Sequence, residues 1–257
     1  MEKKDINLLG TNIKYIELGD EGGRPLVVLH GWGANIESIM PIVNSIPKGY
    51  KIYAYDAPGF GDSDEPKSAL STWDYELYLE EFLEKKNIGK ATFIGHSFGG
   101  KTLSIFAAKN KDKVEKLVLI DASGVIPKRT FSYYFKVYIF KFLRFLYTKL
   151  FFWNNNTDGI KKFYEKFGSD DYQASQGVMR ETFVKVVNES TEECFKDIDA
   201  ETLLVWGELD DATPVYMAKV FESKIKNSGL VVFEKAGHFS YIDDYGTFSA
   251  VINSFLD

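Results

Sequence analysis

Lys90-Ala91-Thr92-Phe93-Ile94-Gly95-His96-Ser97-Phe98-Gly99-Gly100 is the stretch on which the fold turns. It reads as an apolar strand, a very tight turn carrying a serine, and the start of a helix. Glycines stand where a side chain would clash. A G-x-S-x-G turn between strand and helix lifts its serine onto a strained corner above the end of a sheet, which is a nucleophile's position. The same five residues also fit a glycine-rich turn of no chemical meaning, so the flanking chain must discriminate.

Upstream, Thr72 to Lys86 is helical in pattern, and Tyr50 to Tyr55 is a strand running into the turn-rich Asp56-Ala57-Pro58-Gly59-Phe60-Gly61-Asp62-Ser63. Before it, Ile36 to Ile46 fits a short helix. Pro25-Leu26-Val27-Val28-Leu29 is continuously apolar, as a strand buried on both faces is, and leads into His30-Gly31-Trp32-Gly33. Ile6 to Leu9 and Ile13 to Leu18 flank Gly10-Thr11-Asn12 and predict an opening hairpin. Downstream come a helix at Lys101 to Lys109 and a strand at Val114 to Ile120, ending in Asp121-Ala122-Ser123-Gly124. From Val125 to about Asp197 the rhythm breaks into helices, among them Gly159 to Phe167 and Gly177 to Asn188. It resumes with a strand at Glu201 to Trp206, a helix at Val215 to Lys226, a strand at Leu230 to Phe233 and a closing helix at Gly246 to Leu256. Such alternation predicts an α/β protein: a mostly parallel sheet of about eight strands with helices on both faces. Residues 1–124 and 198–257 would form one core, and residues 125–197 a helical cap inserted over it.

Composition excludes several classes. The 257 residues are 45% hydrophobic and 26% charged, an ordinary globular balance. A net charge of −6 argues against a nucleic-acid partner, since phosphate neutralisation needs a positive surface. The single Cys194 permits no internal disulfide, and the polar start at Met1-Glu2-Lys3-Lys4 lacks a signal-peptide run, so a cytoplasmic location is expected.

A serine hydroxyl is a weak nucleophile at neutral pH and needs an adjacent base. The chain offers three histidines. Strand alternation directs His96 away from its neighbour Ser97, and His30, between strand and turn, suits a role in fixing the loop. His238 remains, in Lys235-Ala236-Gly237-His238-Phe239 after the last strand, at the same sheet edge as Ser97 if the strands are parallel. The base in turn needs a carboxylate. Asp210 follows the penultimate strand and gives the chain order Ser, Asp, His, with Asp211 and Asp121 as rivals. An acyl-transfer oxyanion needs preorganised donors, and the backbone N–H groups of Phe98 and Trp32 are the candidates.

In combination, His30 to Gly33, Asp56 to Ser63, Gly95 to Gly100, and Gly207 to Pro214 followed by Gly237-His238 resemble the α/β-hydrolase fold family: cofactor-free, single-domain hydrolases with a helical cap. The resemblance covers nearly the whole chain. It implies the fold and the Ser97, Asp210, His238 triad, no cofactor and no metal, and a structural turn shaped by Asp56 and Ser63. Relatives that open epoxides or haloalkanes carry an aspartate where Ser97 stands, which argues against those reactions. Trp32-Gly33 departs from the extended His-Gly-Gly-Pro pattern of proline iminopeptidases.

Specificity is expected in the insertion. Phe131 to Trp153 holds 12 aromatic residues in 23, with Lys136, Lys141, Arg144 and Lys149, and no acidic residue occurs from Ala122 to Thr157. Three readings fit: a cap helix packing aromatics on the pocket, a pocket for a large apolar acyl chain, and, behind these, contact with an anionic membrane surface. Phe131, Tyr134, Phe135, Tyr138 and Phe239 are the candidate pocket residues. Lys101, the cation nearest the serine turn, is expected to face outward. The expected function is a carboxylesterase-type serine hydrolase of small to medium, hydrophobic ester, thioester or lactone substrates. The alternatives are carbon-carbon bond hydrolysis of a vinylogous keto acid, favoured by basic residues in the pocket, and a slow or non-catalytic ligand-binding protein.

Overall fold

The computed structural model describes residues 2–128, 142 and 174–257, and elements are numbered among these. The hairpin is present as β1 (Lys4–Leu8) and β2 (Thr11–Gly19). Six further strands follow: β3 (Arg24–Leu29), β4 (Tyr50–Tyr55), β5 (Ala91–His96), β6 (Val114–Ile120), β7 (Glu201–Gly207) and β8 (Ser228–Phe233). They form one eight-stranded sheet in the order β1-β2-β4-β3-β5-β6-β7-β8. The hairpin side is antiparallel, and every pair from β4 across to β8 is parallel. This is the expected α/β architecture, and it brings the C-terminal ends of β3, β5, β7 and β8 to one edge.

Alternation along the central strands builds a core on each face. Val27, Leu29, Phe93, Leu117, Leu119, Leu204 and Trp206 point to one side. There they meet α2 (Thr72–Lys85), α3 (Phe98–Lys109) and α5 (Val215–Lys224). The alternate residues Leu26, Val28, Ile94, Val118, Ile120, Leu203 and Val205 point to the other. That face is covered by a 3-10 turn at Ile36–Ile39, α1 (Met40–Ser45), and two helices from the chain end, α6 (Ser240–Asp243) and α7 (Tyr245–Leu256). Burial on both faces is why these strands read as unbroken apolar runs.

Of residues 125–197, the structure describes 125–128, 142 and the end from 174. Helix α4 (Gly177–Asn188) buries Met179, Thr182 and Val186, and a 3-10 turn at Glu192–Asp197 lays Phe195 on Phe221 of α5, ring centroids 3.9 Å apart. The helix expected at Gly159 to Phe167 and the aromatic stretch, apart from an exposed Phe142, lie outside the described residues. Several boundaries differ from the sequence expectation by one to three residues, two of them for a plain reason. Helix α3 starts at Phe98 rather than Lys101, because Gly99 and Gly100, poor helix formers, lie inside its first turn. Strand β8 starts at Ser228 rather than Leu230, since this edge strand is only partly buried and lacks a full apolar run.

Candidate active site

The serine turn is held by close packing. A Cβ on Gly95 would stand 2.6 Å from the Gly100 nitrogen, and one on Gly99 would stand 2.5 Å from the Leu29 carbonyl oxygen. Those contacts let α3 start immediately after β5 and lie against the end of β3. Ser97 itself adopts φ 50°, ψ −109°, a strained conformation for a residue with a side chain. Its Oγ is thereby placed 3.0 Å from His238 Nε2.

His238 Nδ1 lies 2.9 Å from Asp210 Oδ2. Asp210 accepts further bonds from the backbone N–H groups of Ala212 (2.9 Å) and Thr213 (2.8 Å) and from the Thr213 hydroxyl (2.7 Å). These partners leave one consistent tautomer: Nδ1–H donates to the carboxylate, and Nε2 accepts from the serine hydroxyl. Burial pulls the Asp210 pKa up. The hydrogen bond and charge of His238, with the Thr213 donors, outweigh it and hold the carboxyl below its ordinary range. Burial likewise lowers the pKa of His238, but the Asp210 bond and charge prevail and raise it. The Asp210 loop is tied in turn by buried Trp206, whose Nε1–H donates to the Thr213 carbonyl at 2.6 Å.

The rival carboxylates have other positions. Asp211 is exposed. Asp121 is fully buried, but its Oδ1 accepts from Gly207 N–H (2.9 Å) and its Oδ2 from Ser240 N–H and Oγ (3.1 and 2.6 Å), joining the ends of β6 and β7 to α6. Burial raises Asp121 to about 7, against the pull of its donors.

The two remaining histidines fix loops, as their positions in the sequence suggest. His30 donates from Nδ1 to the Gly31 carbonyl (2.7 Å) and accepts at Nε2 from Ala57 N–H (2.9 Å), coupling the β3 and β4 loops. His96 donates from Nε2 to the His238 carbonyl at 2.8 Å, and burial lowers its pKa to about 3, so it is neutral. The Asp56 turn ties the β4 end together: Oδ1 accepts from Ile36 N–H (2.7 Å), Oδ2 from Asp62 N–H (3.1 Å), and the Ser63 hydroxyl donates to the Asp56 carbonyl (2.6 Å).

A cavity of about 550 Å³ opens over Ser97 and His238. Trp32 and Phe98 both line it, and neither backbone N–H has a hydrogen-bond partner among the described residues. Half-exposed Phe239 is among the lining residues, whereas Phe131, Tyr134, Phe135 and Tyr138 lie outside the described residues. Helix α4 adds Phe183, Val186 and Val187 to the wall. Lys101 corrects its expectation: it is 3% exposed and lines the cavity, its Nζ donating to the Val186 (2.5 Å) and Glu189 (2.7 Å) carbonyls. Its spacing was the overlooked signal, since a residue four beyond Ser97 shares that residue's side of the helix.

Residues 24–245 match the family model described as the alpha/beta hydrolase fold. The chain belongs to the α/β-hydrolase fold family. This hydrolase is 27% identical to a proline iminopeptidase of Saccharolobus solfataricus, over 97% of its own length and 90% of the relative's. It is also 27% identical to 2-hydroxy-6-oxononadienedioate/2-hydroxy-6-oxononatrienedioate hydrolase 1 of Pseudomonas putida, over 96% and 93% of the two chains. Among solved structures, a bacterial membrane phospholipase A superposes with TM-score 0.78 at 23% identity, covering 100% of the hydrolase and 86% of that chain, a likeness of fold. No helix among the described residues of the hydrolase is long and apolar enough to cross a membrane.

Proposed function

We propose that this hydrolase is a serine esterase working through an acyl-enzyme. The observation that carries the reading is the continuous relay Ser97 Oγ, His238, Asp210, with contacts of 3.0 and 2.9 Å, opening onto a cavity bordered by the Trp32 and Phe98 amides, which have no partner among the described residues. In this reading Ser97 Oγ attacks the ester carbonyl as its proton passes to His238 Nε2. The two amides donate to the oxyanion, and Asp210 stabilises the imidazolium. His238 then protonates the departing alcohol. Water, deprotonated by the same nitrogen, attacks the acyl-serine, and collapse returns the proton to Ser97 and releases the acid.

The reading takes residues 125–197 as a cap over the pocket, and the apolar α4 side chains on the cavity wall support a substrate with hydrophobic character. It places the enzyme in the cytoplasm, with a free, buried Cys194 in support. A complete relay argues against a merely ligand-binding protein. A second reading, carbon-carbon bond hydrolysis of a vinylogous keto acid, gains from the cation that Lys101 brings to the cavity.

The test pairs a fluorophosphonate probe with p-nitrophenyl butyrate. Labelling and turnover by the wild type, both abolished in Ser97→Ala, are expected. Equal labelling of the two proteins would remove Ser97 from the chemistry.

A further inference from the structure

One turn beyond Ser97 stands a buried charge that the relay does not use. Lys101 N–H donates to the Ser97 carbonyl at 3.0 Å, so the two residues occupy successive turns of one helix face. An ammonium has three donors. Two go to the Val186 and Glu189 carbonyls, and the third has no protein acceptor among the described residues. No carboxylate of the described residues pairs with it. The nearby Glu189 carboxylate is bound instead to Thr72 N–H at 2.7 Å, at the start of α2. Among the described residues lining the cavity, Lys101 is the only lysine or arginine. A lysine that merely satisfied helix carbonyls could leave its charge in solvent, as long side chains ordinarily do. Here the charge is buried with no carboxylate of the described residues in contact, Glu189 acting on it only through space, and an anion that joined it would relieve that cost.

We propose that Lys101 recognises a carboxylate on the acyl portion of the substrate, so that the preferred substrates are half-esters or half-thioesters of dicarboxylic acids. This rests on the Ser97 acyl-transfer reading. Side chains one turn apart have Cβ atoms about 6 Å from each other, so the carboxylate would lie a few carbons from the carbonyl under attack. Its contact with the ammonium would be a charge-assisted hydrogen bond in a site shielded from water. A neutral acyl tail of the same length would leave the cation unpaired, which gives discrimination as well as affinity.

The test compares the mono-4-nitrophenyl ester of adipic acid with its uncharged methyl ester counterpart, in wild type and Lys101→Met. At pH 7 the wild type is expected to favour the half-ester at least tenfold in kcat/KM, mainly through KM, and K101M to bring the ratio close to one. Burial lowers Lys101 to about 8, with Glu189 opposing, so the wild-type ratio should also fall as pH rises through that value. His96 and His238 border the same cavity, but both substrates share their titration and the ratio cancels it. No wild-type preference, a ratio flat with pH, or an equal loss on both esters in K101M would overturn the proposal. Should K101M fail to fold, the wild-type pH series decides. Calorimetric binding of monomethyl adipate separates the two readings. Binding that depends on Lys101 without turnover leaves the anion site standing and the esterase reading refuted. Turnover without charge preference does the reverse.

Discussion

Asp210 is where charge and geometry can be separated by a single substitution. Asp210→Asn preserves size but removes the acceptor that fixes the His238 tautomer, and kcat on p-nitrophenyl butyrate is expected to fall by about 10⁴-fold while the fold persists. Circular dichroism checks the fold, and a loss under tenfold would mean that another carboxylate orients the base. As the proposed base, His238 also sets a pH dependence. It acts as base only when neutral, so kcat/KM rises with pH through its pKa. Burial works to lower that pKa, but Asp210 holds it above the ordinary 6.5, which places the acid limb on the alkaline side of that value. In Asp210→Asn the limb should move to lower pH. A wild-type midpoint well below 6.5 would exclude His238 as the group that titrates.

At the scale of elements, the strand-turn-helix from β5 into α3 couples the Ser97 corner to the packing of the sheet. Gly99→Ala puts a methyl group 2.5 Å from a backbone oxygen of β3, which cannot rotate away as a side chain could. The expected cost is about 2 kcal/mol in urea unfolding, with a loss of activity beyond the unfolded fraction as α3 and the Ser97 corner move. Unchanged stability would show that the two elements separate freely. This junction also shows what was legible in the sequence. Strands β3, β5, β6 and β7 were readable because most of each is an apolar run buried on both faces, with charged residues such as Arg24, Glu115, Lys116 and Glu201 confined to the strand starts. That His238 and Asp210 lie beside Ser97 was readable from the scarcity of histidines and from the strand end. Lys101 was misread because a lysine's direction depends on its partners, and these are carbonyls 85 and 88 positions away. The hydrogen bond from His96 to His238 likewise spans 142 positions and leaves no local pattern. The first turn of α3 was obscured by the very glycines that the close approach requires.

For the whole molecule, the two cores unfold together only if the helices on one face remain coupled to the sheet, and Glu76 offers a readout of that. On α2, with no side-chain exposure, it accepts from Lys109 of α3 at 2.5 Å, near Glu80. Burial raises its pKa to about 7, the Lys109 bond opposing and Glu80 adding to the rise. An unfolded glutamate titrates near 4.5. Between these values the folded chain keeps a proton that the unfolded chain releases. Stability from this group is therefore complete below about 4.5 and lost as pH rises to about 7. Glu17, held at about 2 by Lys86 and Lys4 against burial, has the opposite sign, losing its contribution only in acid. His30 and His96, lowered by burial, add a rising slope up to about 6.5, so the wild-type curve is a mixture. The difference between wild type and Glu76→Gln isolates one group. Urea unfolding at pH 5, 6.5 and 8 should show the wild type losing about 2 kcal/mol relative to the variant across that range. A constant difference would mean that Glu76 is ionised throughout. Because α3 carries Ser97 before its first turn and Lys109 at its last, a pH-dependent difference in the global transition would tie the α2–α3 contact to the unit that holds Ser97.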